Sequence, residues 1–136
     1  MSRRVYLPLA WSDLAELAQG REVTAVTAYA VTSSQHRDAA ADEEELEFDA
    51  LCDALDAAEA RRASPDERRL VAAADLEATE CADGAPTAVR VNAPLRRDQV
   101  VCLHVEEQPG QLVGQGYDDL LWYDISEIET LAREAP

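Results

Sequence analysis

The stretch from Ala39 to Ala63 reads as one long helix, and no other part of the chain limits the fold as much. Phe48, Leu51, Cys52, Leu55 and Ala58 fall at i, i+3, i+4, i+7 and i+10, so they share one face of a 3.6-residue period. Ala50, Ala54 and Ala57 lie roughly opposite and are small enough for a second close contact. Between these faces runs an acidic stripe of Asp42, Glu45, Asp49, Asp53 and Asp56, at steps of three, four, four and three. From Asp42 to Glu59 there are nine acids and no base. Like charges at such spacings repel by about 0.2–0.5 kcal/mol per pair. The ends suit the helix dipole, with Asp42 to Glu45 at the positive end and Arg61 and Arg62 at the negative end. Ser64-Pro65 then stops the helix, because the residue before proline avoids the α region.

A chain of 136 residues implies one domain, residues 1–136. Its formal charge of −16 argues against direct contact with DNA, RNA or an anionic membrane, all of which need a basic footprint. A basic protein, or a nucleic-acid-binding protein, is the natural electrostatic partner. The plainer reading is that the charge confers solubility or tolerance of salt. All twelve basic residues are arginine, which removes a P-loop lysine and any Schiff-base or pyridoxal-phosphate lysine. The bias towards alanine, aspartate and glutamate suits a GC-rich genome, such as that of an actinobacterium or a haloarchaeon. Cys52, Cys81 and Cys102 are odd in number and contain no CxxC pair, which points to reduced thiols in a cytoplasm. The apolar run after Arg3-Arg4 is too short for a signal segment, and no stretch approaches the ~20 apolar residues of a membrane span.

Arg3 to Leu7 is a β-rich run ended by Pro8. Ser12 is placed to cap a helix whose apolar side is Leu14, Leu17 and Ala18, with Gly20 at the expected C′ position. Val23 to Thr32 has apolar residues on both faces and reads as a strand inside a sheet. Arg69–Leu76 reads as a buried strand, although its three alanines could equally extend a helix; Thr87–Asn92, Gln99–Glu106 and Leu120–Tyr123 read as further strands, with Glu77 to Pro86 as a loop. Ser126 and Glu129 form a capping-box pair opening a last helix. The order implies an α+β two-layer sandwich with helices on one face of a mainly antiparallel sheet, and a ferredoxin-like topology is the first arrangement to expect. Trp11-Ser-Asp-Leu-Ala-Glu-Leu-Ala and Trp122-Tyr-Asp-Ile-Ser-Glu-Ile-Glu echo one another, which shared capping chemistry explains.

Arg4 to Pro8, Asp42-Glu-Glu-Glu-Leu-Glu and Asp119-Leu-Leu-Trp-Tyr-Asp together resemble an uncharacterised family of small actinobacterial proteins, over nearly the whole chain. The resemblance implies a bacterial cytosolic setting and carries over no activity and no catalytic residue.

Four groups of residues invite a functional reading. Trp122 and Asp124 share one face of the last strand, and with Tyr6 and Trp11 they would line a small pocket if the first and last strands were neighbours. The competing structural reading has the aromatics plugging the sheet and Asp124 capping the helix that follows. Cys102, His104 and Glu106 alternate onto one strand face, but same-face neighbours lie almost 7 Å apart, too far for all three to reach one metal ion. His36 follows Ser33-Ser34 and precedes Asp38, residue types of a hydrolytic triad in a run that reads as a loop. The glycines of Pro109 to Gly116 match no dinucleotide fingerprint. No metal, cofactor or catalytic residue is expected on these grounds.

The acidic stripe spaces its charges roughly as phosphates are spaced along a nucleic-acid strand. Two expectations follow from different classes. The first is a non-enzymatic acidic binding or adaptor protein that meets a basic macromolecular partner through Asp42, Glu45, Asp49, Asp53 and Asp56. The second is a small enzyme or ligand-binding module with a pocket at Tyr6, Trp11, Trp122 and Asp124. The first requires that the carboxylates not be answered by arginines from elsewhere in the fold.

Overall fold

The computed structural model describes residues 2–24, 27–32, 42–84, 87–109 and 117–134. Strand β1 (Ser2–Leu9) is followed by helix α1 (Trp11–Ala18), strand β2 (Thr27–Tyr29) and the long helix α2 (Glu43–Ala58). Then come β3 (Leu70–Glu77), β4 (Cys81–Asp83), β5 (Ala88–Val91), β6 (Val100–Glu106), β7 (Leu120–Asp124) and helix α3 (Ile128–Ala132). The seven strands form one sheet in the order β4-β5-β2-β1-β3-β6-β7, and every neighbouring pair is antiparallel. The class is α+β with an antiparallel sheet, as the order of elements implies.

Since β2 and β3 both run against β1, they are parallel to each other, and α2 crosses between them. This is one split β-α-β unit, half of the ferredoxin-like plan. The other half is replaced by antiparallel connections from β3 to β7, including β4, which lies inside the stretch that reads as a loop. Pro8 does not end β1. It stays within the strand, opposite Val71 of β3 and one residue before the strand's end.

Alternation along the strands supplies two cores, and the helices divide between both faces of the sheet instead of sharing one. Val5, Leu7 and Leu9 of β1, with Ala72, Ala74, Leu103 and Val105, bury against Trp11, Leu14 and Leu17 of α1 and Ile128 and Leu131 of α3. Tyr6, Val71, Ala73 and Cys102 point to the other face and bury Ala50, Ala54 and Leu55 of α2. Thus α2 settles on its alanine side with Leu55, not on Phe48 and Cys52. Small residues on both partners let helix and sheet approach closely, and Phe48 is left 45% exposed.

Capping chemistry fixes the helix ends. Asp42 accepts a hydrogen bond from the Glu44 N–H at 3.0 Å and opens α2. The cap of α1 is Ala10 rather than Ser12, and the Asp13 carboxylate accepts the Ala10 N–H at 2.9 Å. Gly20, at φ 81°, closes α1 as expected, with Gly20 N–H to Leu17 O and Arg21 N–H to Glu16 O at 3.0 and 2.9 Å. Near the C-terminus the capping pair is Asp124 and Glu127, two residues earlier than Ser126 and Glu129. The Ser126 N–H donates to Asp124 and the Asp124 N–H donates to Glu127. An acid accepting the cap residue's own N–H recurs at both starts, Asp13 for Ala10 and Glu127 for Asp124, but at non-matching positions of the Trp11 and Trp122 segments, so shared capping does not explain their echo.

Candidate functional site

The five carboxylates of the stripe meet two different environments. At the C-terminal end of α2, Asp56 accepts the Tyr117 hydroxyl, 2.8 Å from each of its oxygens, and lies 3.6 Å from Arg69 Nη1. Arg69 is fully buried; its Nε is 3.0 Å from Glu106 Oε1 and its Nη2 donates to Glu106 Oε2 at 3.2 Å. The backbone N–H of Arg69 also donates to Glu106 Oε1 at 2.5 Å. Burial, then the hydrogen bond and charge of Asp56, push the Tyr117 phenol up to about 12. Asp53 accepts the Thr87 hydroxyl at 2.5 Å, and Glu59 pairs with Arg62. These carboxylates are part of the fold, and the requirement set by the first functional expectation fails for Asp56.

At the N-terminal end, Asp42, Glu43, Glu44, Glu45, Phe48 and Asp49 are all exposed. Apart from the cap made by Asp42, no ion pair reaches Glu43, Glu44, Glu45, Glu47 or Asp49 among the described residues. Asp42, Glu44, Glu45, Phe48 and Asp49 line a shallow depression of about 450 Å³. The helix dipole stabilises an acid by about 0.3–1 kcal/mol only within the first turn. That accounts for Glu43, Glu44 and Glu45, whereas Glu47 and Asp49 lie beyond it. Acid repulsion and an exposed aromatic both work against the isolated chain at this place.

The proposed pocket residues divide between the two sides of the sheet. Trp11 is buried with α1 and α3, donates its indole N–H to Arg68 O at 2.8 Å, and carries the Arg68 guanidinium 5.3 Å above its ring. Tyr6 lies on the α2 side, its ring centroid 6.4 Å from that of His104. Trp122 pairs with His104 across β6 and β7, and is 59% exposed. Asp124 caps the turn before α3, and the hydrogen bonds from Ser126 hold its carboxyl below the usual range. Tyr6 and Trp122 therefore flank His104 on one face, Trp11 is on the other, and the four do not enclose a common cavity.

Cys102 Sγ lies 3.7 Å from His104 Nε2, while Glu106 turns to Arg69. Burial raises the Cys102 thiol and lowers the His104 imidazole, so both are neutral near pH 7. A nucleophilic thiol needs the opposite, a stabilised thiolate. No group of three metal-ligating side chains occurs among the described residues. Ser33, Ser34, His36, Asp38 and the glycines Gly110, Gly114 and Gly116 lie outside the described residues. A second depression, of about 390 Å³, is lined by Arg97, Asp98, Val100, Ile125 and Ser126. Its one cation is engaged, since Arg97 Nη1 is 2.7 Å from Glu129 and donates to Ala18 O at 3.1 Å.

The sequence matches a family of unknown function, DUF6912, over residues 3–132. The chain belongs to this family. No curated protein and no solved structure matches it. None of the three cysteines of this DUF6912 member forms a disulfide, and no described helix is long and apolar enough to cross a membrane.

Proposed function

We propose that this protein is a non-enzymatic acidic binding or adaptor protein, and that the N-terminal half of α2 meets a basic macromolecular partner such as a nucleic-acid-binding protein. The observation that carries the reading is Phe48, an exposed aromatic set among Asp42, Glu44, Glu45 and Asp49. Interfaces place aromatic anchors at the centre of such a patch and charges around it. The aromatic supplies burial, and the carboxylates steer encounter and reject acidic competitors. Asp53 and Asp56 are left out of this surface because Thr87, Tyr117 and Arg69 engage them. We place the protein in the cytoplasm of an actinobacterium, a setting supported by its three unbridged cysteines and its lysine-free, alanine-rich composition.

The test is titration of a fluorescent oligoarginine peptide into the wild type, Phe48→Ala and the Glu45→Gln/Asp49→Asn double variant at increasing salt. Phe48→Ala should weaken binding at every salt concentration, and the double variant should flatten the salt dependence. Equal affinities and equal salt slopes for all three would overturn the proposal.

A further inference from the structure

The sheet ends on two strands of unlike character. β4 at one end has three residues, and its Asp83 is tied to Arg3. β7 at the other end has five, Leu120-Leu-Trp-Tyr-Asp124, the first four of them uncharged. Sheets ordinarily protect such an edge with lysine, proline, a bulge or brevity. β7 contains neither lysine nor proline, and its register with β6 runs without a shift from Cys102↔Asp124 to Glu106↔Leu120. Among the described strands none lies beyond it, so its outer side presents the N–H and C=O groups of alternate residues as a template for another strand. Trp122 stands at the middle of that edge and is 59% exposed.

Charge then selects the occupant. From Asp98 to Ala132 the sequence has eight acids and no arginine or lysine. Asp119 and Glu127 are exposed on either side of the strand, and Asp124 ends it. A second copy of β7 would bring the same acids against themselves, on chains that each carry −16. We infer that the β7 edge, with Trp122, takes up an extended arginine- or lysine-bearing segment of a partner as an added strand. Backbone hydrogen bonds hold the segment, and alternate side chains lie on the Trp122 face, where a guanidinium stacks on the indole. The other side chains follow Leu121 and Tyr123 onto the opposite face. This site shares with the α2 patch only the basic character of its partner, so either reading can fail without the other.

The experiment is a nitrogen-15 NMR titration of the whole chain with a short peptide of alternating arginine and valine. Two further peptides carry backbone N-methyl groups at all odd or at all even positions. The expected result is shifts centred on Leu120–Asp124, slowed hydrogen exchange of alternate β7 amides, and loss of binding for one methylated peptide but not the other. Trp122→Ala should weaken the unmodified peptide by roughly tenfold, the loss of one aromatic anchor, and Trp122→Phe should recover part of it. Equal binding of both methylated peptides would overturn strand addition. So would shifts confined to Glu44–Asp49, or β7 shifts that grow with protein concentration alone, which would mean that a second copy takes the edge. Unchanged peptide binding in Glu45→Gln/Asp49→Asn alongside loss in Trp122→Ala is the result expected of a site that works without the α2 patch, whose own test is the oligoarginine titration.

Discussion

The two halves of α2 carry the same kind of residue to opposite ends. Towards the C-terminus, Asp53, Asp56 and Glu59 each meet a hydroxyl or a guanidinium, and Ala54, Leu55 and Ala58 are fully buried beside them. Towards the N-terminus, Glu44, Glu45 and Asp49 surround an exposed Phe48. Spacing alone makes one continuous stripe of these acids, yet the stripe is cut in two by what the rest of the chain brings near it. The lesson is that a run of carboxylates has no single meaning. The paired half contributes to folding, and the half that no ion pair reaches among the described residues is the one to which we assign recognition.

The largest expected effect tests the paired half. Arg69→Met leaves Glu106 buried without its counter-charge and should cost about 3–5 kcal/mol in urea unfolding. Arg69→Met/Glu106→Leu should recover much of that loss, and a double variant as unstable as the single one would show that the ion pair is not the cause. Tyr117→Phe should cost about 1.5 kcal/mol, the scale of a hydrogen bond to a charged group. The pH dependence of that contribution has a definite sign. Because the folded phenol is pushed up to about 12, its stabilising contribution is complete below the ordinary tyrosine range near pH ~10 and is lost as pH rises towards the folded value. Unfolding midpoints should therefore fall more steeply in the wild type than in Tyr117→Phe through this range, and parallel curves would count against the contact.

The open half should respond weakly, with its cap as the exception. Asp42→Ala removes the acceptor for the Glu44 N–H and should cost about 1 kcal/mol. Smallest of all, Asp49→Asn should stabilise by about 0.2–0.5 kcal/mol, since it relieves like-charge repulsion one turn from Glu45 and lies beyond the first turn that the helix dipole favours. That gain should vanish at high salt. A loss of more than about 1 kcal/mol in Asp49→Asn would mean that the residue is structurally engaged, and the contrast between the two halves would collapse.

What could be read beforehand was whatever depends on neighbours in the chain. The 3.6-residue period located α2, Gly20 located the end of α1, and alternation located β6 with Leu103 and Val105 on its core side. Periodicity names the faces of a helix without saying which one the sheet receives. Spacing accordingly groups Phe48 with Leu55, although the close fit to Tyr6, Val71 and Ala73 selects Ala50 and Ala54. The Asp56–Arg69–Glu106–Tyr117 network is not legible at all, because it joins an α2 residue to the residue before β3, to β6 and to a turn through tertiary contact alone. β4 was missed for a related reason: a three-residue strand has too little pattern to announce itself and exists because β5 offers it an edge. In the candidate pocket, the sheet itself separates Trp11 from Trp122, and β3 and β6 stand between Tyr6 and β7; no local signal encodes either.

The central position of β1 has a consequence for biosynthesis. Its long partner is β3, from Ser2↔Glu77 to Leu9↔Leu70, while among the described residues β2 meets it at Tyr6↔Tyr29. A ribosome must therefore release β1 well before the strand that completes it, and the backbone edge that β3 pairs waits unfilled through all of α1, β2 and α2. The crowd of carboxylates on α2 emerges during that interval. Mutual repulsion between nascent chains then discourages the apolar segment from pairing with a neighbour before its own partner arrives.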